Sequence, residues 1–131
     1  MSSPIVLNNT TDSFHPAGHY SHTCTAGGFV FVSGQLPVTP SGEKKGQAPF
    51  EEQVKIVLAN IDACLSEAGV TRQDLVSVRV YVTDISLWPV FNEIYAAWIG
   101  DFKPSRAVAG VSELHYGSAV EVEAIALARQ Q

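Results

Sequence analysis

Arg106 stands in "KPSRAVAG" (103–110), after Pro104 and Ser105 and ahead of a run of small apolar residues. A guanidinium is a planar fork that meets a carboxylate or phosphate with two parallel hydrogen bonds. Read from the residues alone, Arg106 is either a surface cation paired with Asp101 or Glu113, or such a fork for a ligand or a neighbouring chain. The apolar surroundings favour the fork. Glu121 and Glu123 lie two apart in "AVEVEAIALA" (119–128), so on a strand they share a face with Ile125 and Leu127. They are either an exposed acidic stripe at a sheet edge or a pair that sets one carboxylate in a pocket wall. In the second case burial raises a pKa and suits that carboxylate to general acid–base work.

His15, His19 and His22 are spaced like ligands on a helix, but Pro16, Gly18 and the strand-like "YSHT" break any helix there. No Cys or Asp completes a coordination set, so metal is not expected. Tyr20 shares a strand face with His22 and reads as a packed aromatic with a satisfied hydroxyl. Cys24 and Cys64 stand 40 positions apart with no CxxC or zinc spacing. With no secretory apolar segment they read as reduced thiols, and the expected compartment is the cytoplasm. P-loop, GxGxxG, GxSxG and HExxH patterns are absent, which removes the commonest nucleotide, nicotinamide, serine-hydrolase and zinc-protease routes.

The elements that must position these residues follow from patterning. The chain has 131 residues, 46% hydrophobic and 16% charged, which suits one globular domain over 1–131 with the first 14 residues loosely ordered. A net charge of −5 leaves no excess of Lys and Arg for phosphates, so nucleic acid is not an expected partner. No apolar run is long enough for a bilayer. Strands are expected at 19–24 and 29–34 around a glycine turn, at 75–84, at 106–111 and at 119–128. Helices are expected at 50–68, with Val54, Val57, Leu58, Ile61, Cys64 and Leu65 as one stripe, and from an N-cap at Ser86 to Ile99. The order β-β-α-β-α-β-β predicts an α+β fold, a mixed sheet with both helices on one face. No segment remains to cover the other face, so a second subunit is expected there.

Five segments together resemble the RidA/YjgF (L-PSP) family: "GHYSH" (18–22), "FVFVSGQLP" (29–37), "VFNEIYAAWI" (90–99), "KPSRAVAGV" (103–111) and "VEVEAIAL" (120–127). The resemblance spans roughly 15–128 and includes the 17-residue step from Arg106 to Glu123. It implies a chorismate-mutase-like fold assembled as a homotrimeric barrel with clefts between subunits. The implied activity is that of a 2-iminobutanoate/2-iminopropanoate deaminase, a hydrolase of C–N bonds acting on enamines and imines such as 2-aminoacrylate. Carried over by residue, Arg106 clamps a substrate carboxylate, Val108 adds a backbone N–H and the Gly34 carbonyl holds the imine nitrogen. Glu123 orients or activates water, while Tyr20, Ser33 and Asn92 line the pocket. No metal or organic cofactor is implied. The sequence departs from the family at His19, His22, Val108 and Gly110, which bears on the substrate's side chain. A non-catalytic trimeric sensor of small carboxylates such as 2-keto acids would use the same arginine. A ribonuclease or translation inhibitor, also attributed to the family, is opposed by the charge.

Overall fold

The computed structural model describes residues 4–129. Helix α1 (Phe50–Glu67) forms because its apolar residues recur along one stripe, and Val54, Val57, Ile61, Cys64 and Leu65 are all fully buried. Glu51 and Glu52 occupy its first turn, where the helix dipole favours acids. Helix α2 (Trp88–Ile99) buries Phe91, Tyr95 and Ile99. It does not start at Ser86. Asp84 instead accepts the Ser86 N–H at 3.0 Å and caps a short 3₁₀ turn, Ile85–Leu87, so α2 begins one turn later with Pro89 near its start. Trp88, the first residue of α2, is exposed.

Six strands make one sheet: β1 (Val6–Asn8), β2 (Thr23–Ala26), β3 (Phe29–Gln35), β4 (Leu75–Val82), β5 (Ser105–Gly110) and β6 (Val120–Leu127). Their spatial order is β1-β2-β3-β6-β4-β5, antiparallel throughout except for the parallel β4–β5 pair that α2 connects. Gly27 and Gly28 turn β2 into β3 with φ of 60° and 87°, a left-handed pair that a tight hairpin demands. Val30 and Val32 from β3, Val78, Val80 and Val82 from β4, and Val120, Val122, Ala124 and Ala126 from β6 pack beneath both helices. The expected alternation of β4 fails at one end. A register shift against β6 between Leu75 and Ser77 turns Val76 outward and gives Leu75 the inward position.

The opposite face carries Phe29, Phe31 and Leu127, all exposed, together with Ser77, Arg79 and Tyr81. Among the described residues nothing packs over it as a second layer.

The N-terminal stretch departs from expectation. Residues 1–3 lie outside the described residues, but Val6–Asn8 pair with Thr23–Thr25, and Thr10, Ser13 and Phe14 are buried. The strand expected from residue 19 starts only at Thr23. Between them, His22 holds the irregular chain. Its Nδ1 accepts the Thr10 N–H at 3.1 Å, its Nε2–H donates to the Phe14 carbonyl at 2.6 Å, and its own N–H donates to Asn9 Oδ1 at 2.8 Å. Both ring nitrogens are thus committed to backbone, and burial lowers the pKa of the imidazole.

Candidate active site

The residues singled out by their chemistry fall into two groups on opposite faces of the sheet. Arg106 lies opposite Val78 in the β4–β5 register, and Val78 is buried beneath the helices, so Arg106 also points to the helical side. There its guanidinium donates to Asn92 Oδ1 at 2.7 Å and sits 5.0 Å from the centre of the Tyr95 ring. Neither Asp101 nor Glu113 pairs with it, and among the described residues no carboxylate does. A cavity of about 380 Å³ opens at this point, bounded by Asn92, Tyr95, Phe102, Pro104 and Arg106. Val108, two residues along, packs against the main core on the same side, and β5 is the edge strand of the sheet.

Glu121, Glu123, Tyr20, Ser33 and Gly34 meet at the other face, around a cavity of about 750 Å³. A bulge builds it. Val32 pairs with Ala124 and Gln35 with Val122, so Ser33 and Gly34 together stand opposite Glu123. The bulge is pinned from both sides. Ser33 Oγ donates to the Ser21 carbonyl at 2.7 Å, and the buried Gln35 amide donates to the Ser33 carbonyl and accepts from Ser13 Oγ, each at 3.0 Å. Gly34 and Glu121 approach closely: a Cβ on Gly34 would lie 2.3 Å from Glu121 Oε2, so a larger residue there would push the carboxylate aside.

The two glutamates differ in surroundings. Glu121 presses against the Gly34 backbone, and desolvation raises its pKa above the ordinary carboxylate range. His115, across the cavity, pulls it down, and Glu123 adds a further rise. Glu123 is engaged on its own face: it accepts the Tyr81 hydroxyl and stands opposite Arg79 in the β4–β6 register. That hydrogen bond raises the Tyr81 pKa. Both carboxylates line the cavity, and of the two it is Glu123, the residue the resemblance assigns to the water, that a neighbouring hydroxyl engages. Tyr20 lies in the loop before β2, partly exposed, its hydroxyl raised by desolvation.

Two further cavity residues, His115 and Tyr116, have no signature in the sequence beyond an aromatic pair before Gly117. His15 and His19 are exposed and His22 is spent on backbone. Among the described residues no three His, Cys, Asp or Glu side chains group as metal ligands. No helix of the described residues is long and apolar enough to cross a membrane.

A family model described as Endoribonuclease L-PSP matches residues 10–128. A RutC family protein of Aquifex aeolicus is 40% identical over 114 residues, covering 86% of this chain and 90% of that protein. The crystal structure of YyfA from Yersinia pestis, described as a protein of unknown function of the conserved Rid family, is 32% identical with a TM-score of 0.91, covering 95% of this chain and 99% of that one. The structure of TdcF from E. coli with bound serine is 29% identical with a TM-score of 0.88, covering 95% and 99%.

Proposed function

The chain belongs to the RidA/YjgF (L-PSP) family, and from that premise we propose that it hydrolyses reactive enamines and imines of the 2-aminoacrylate type to 2-keto acids and ammonia. The observation that carries the proposal is the desolvated Glu121 carboxylate, set against Gly34 in an open cavity. Arg106, a cation with no carboxylate partner among the described residues, supports it from the other face. Because the two groups occupy opposite faces of one sheet, a single copy cannot close both on one substrate. A homotrimer with the open faces turned inward would bring the β5 edge of one copy to the Glu121 cavity of the next, and would bury Phe29, Phe31 and Leu127.

In the reaction, the enamine first tautomerises to the imine by taking a proton from solvent at C3 and releasing one from nitrogen. Arg106 binds the substrate carboxylate as a fork, and Asn92 fixes the guanidinium. Water attacks C2 while Glu121, ionised, accepts a proton from it; the C=N electron pair moves to nitrogen, which takes a proton from solvent. The carbinolamine then collapses: the hydroxyl oxygen gives its proton to solvent and forms C=O, the C–N bond breaks, and Glu121 returns its proton to the leaving nitrogen, which departs as ammonia. A raised pKa makes Glu121 a stronger base than an ordinary carboxylate. In this reading the Gly34 carbonyl accepts from the imine nitrogen, and Tyr20 and Ser33 form part of the wall. We assign this work to the cytoplasm, where Cys24 and Cys64 stay reduced.

A second reading has one observation behind it, the serine held by E. coli TdcF: a non-catalytic module for small carboxylates would use the same groups. The test generates imines in situ from serine, threonine and larger amino acids and follows 2-keto acid release. Wild type is expected to exceed the buffer rate. Arg106→Ala and Glu121→Gln are expected to lose about a hundredfold or more, and Glu123→Gln to keep most of its rate. No acceleration with any side chain would leave the binding module. The endoribonuclease in the family description fits poorly with a net charge of −5.

A further inference from the structure

Tyr116 has φ 63° and ψ 25°, and it is the one non-glycine residue with positive φ among the described residues. A bulky side chain in the left-handed region costs free energy and persists only where its surroundings over-determine it. Here they do. A Cβ on Gly46 would come within 2.3 Å of the Tyr116 carbonyl oxygen, so the turn 115–117 is seated directly on a glycine backbone. Gln53, buried at the start of α1, accepts the Ala119 N–H at 2.9 Å and donates to the Ala48 carbonyl at 2.9 Å, which ties the turn to the loop beneath it. Lys44 Nζ lies 4.8 Å from the centre of the Tyr116 ring, and the His115 ring is 5.8 Å away.

The ring so fixed is a wall. It lines the Glu121 cavity on one side and a smaller hollow of about 190 Å³, shared with Lys44 and Pro40, on the other. Tyr20 lines the same large cavity, and Phe14 and Leu36 contribute apolar surface to it. Both tyrosine rings are about 40% exposed, more than a packed aromatic would be. Ser33, Gly34, Glu121 and Glu123 line the cavity at the bulge, and His115 is the one other charged or titratable non-tyrosine side chain among its lining residues. A substrate whose reacting carbon meets Glu121 therefore has an aromatic-walled space left for its side chain. A three-carbon imine would leave that space filled with water.

We propose that Tyr116, which lines the cavity together with Tyr20, is a specificity-determining residue that selects imines of aromatic amino acids over those of alanine or serine. The proposal rests on the deaminase reading for its substrate class. It is tested by comparing kcat/KM for imines made in situ from phenylalanine, leucine and alanine by an amino-acid oxidase with catalase present. Wild type should favour the phenylalanine imine over the alanine imine by about tenfold or more, the size of effect that apolar contacts supply. Tyr116→Gly removes the ring and suits the positive φ; it should bring the preference down to about twofold, with the loss falling on the phenylalanine imine. Tyr116→Phe should retain the preference. Equal use of the two imines by wild type, or an equal loss on both in Tyr116→Gly, overturns the proposal while leaving the deaminase reading intact. Calorimetry with phenylpyruvate and pyruvate gives a readout without turnover. If no imine is hydrolysed but phenylpyruvate binds about tenfold more tightly, in a Tyr116-dependent way, the deaminase reading falls and the selectivity stands. Equal affinity for the two keto acids overturns the selectivity.

Discussion

Glu121 and Glu123 are the same residue type on the same strand face, yet their environments part them. Glu123 has the Tyr81 hydroxyl; Glu121 is half-buried against the Gly34 backbone. Activity that needs the Glu121 carboxylate should fall on the acid side with a midpoint above the ordinary carboxylate range. His115 lowers that midpoint electrostatically, so His115→Ala should move the acid limb of kcat/KM to higher pH, as a pH–rate profile would show. The stability sign runs the other way. A carboxyl whose pKa is raised on folding contributes stability below its unfolded pKa, and that contribution is lost as pH rises through the folded value. Glu121→Gln should thus be no less stable than wild type near neutral pH while losing activity. A variant that loses both together would count against a catalytic role for Glu121.

At the scale of elements, the cavity is the product of a bulge and a buried glutamine. The Ser33–Gly34 bulge takes β3 out of register with β6 beside Glu123, and Gln53 ties the start of α1 to the segment that leads into β6. Gln53 is 3% exposed, so its replacement cannot be made good by bulk water. Gln53→Ala would leave the Ala119 N–H and the Ala48 carbonyl without partners and should cost about 1–3 kcal/mol of stability, measured by denaturant unfolding. It should also loosen the turn that carries Tyr116. Long elements with strong patterns, α1 and β6, were legible because burial on one side repeats at the helical or strand period. β1 was not: it is three residues long, and its pairing with β2 is a backbone matter that leaves little mark on side-chain type.

At the scale of the whole molecule, one sheet face is covered by helices and the other presents Phe29, Phe31 and Leu127 to solvent. Phe31 stands opposite Ile125 and Phe29 opposite Leu127, so these side chains form a continuous apolar patch across β3 and β6. Phe31→Asp should leave the helical core unchanged, since Phe31 is outside it, but should shift the proposed trimer to a monomer in gel filtration. Deaminase activity should fall with the assembly, because Arg106 and Glu121 of one copy lie on opposite faces. A Phe31→Asp protein that elutes as wild type would place any assembly surface elsewhere.

The sequence by itself determined the periodicities, and with them the mixed sheet, the two helices on one side and the bare face opposite. It also singled out Arg106, the two glutamates, Tyr20 and the Ser33–Gly34 pair, which the structure places around two cavities. Tertiary structure alone decided how they are shared out. Strand period places Glu121 and Glu123 on one face but cannot rank them, because the rank depends on which one meets Gly34 and which meets Tyr81 across the sheet. It cannot pair Arg106 with Asn92, which comes from a different element. Nor can it reveal that Tyr116, at φ 63°, packs its carbonyl against Gly46, far away in the chain. Each of these is a non-local contact, and local residue pattern carries no record of the partner.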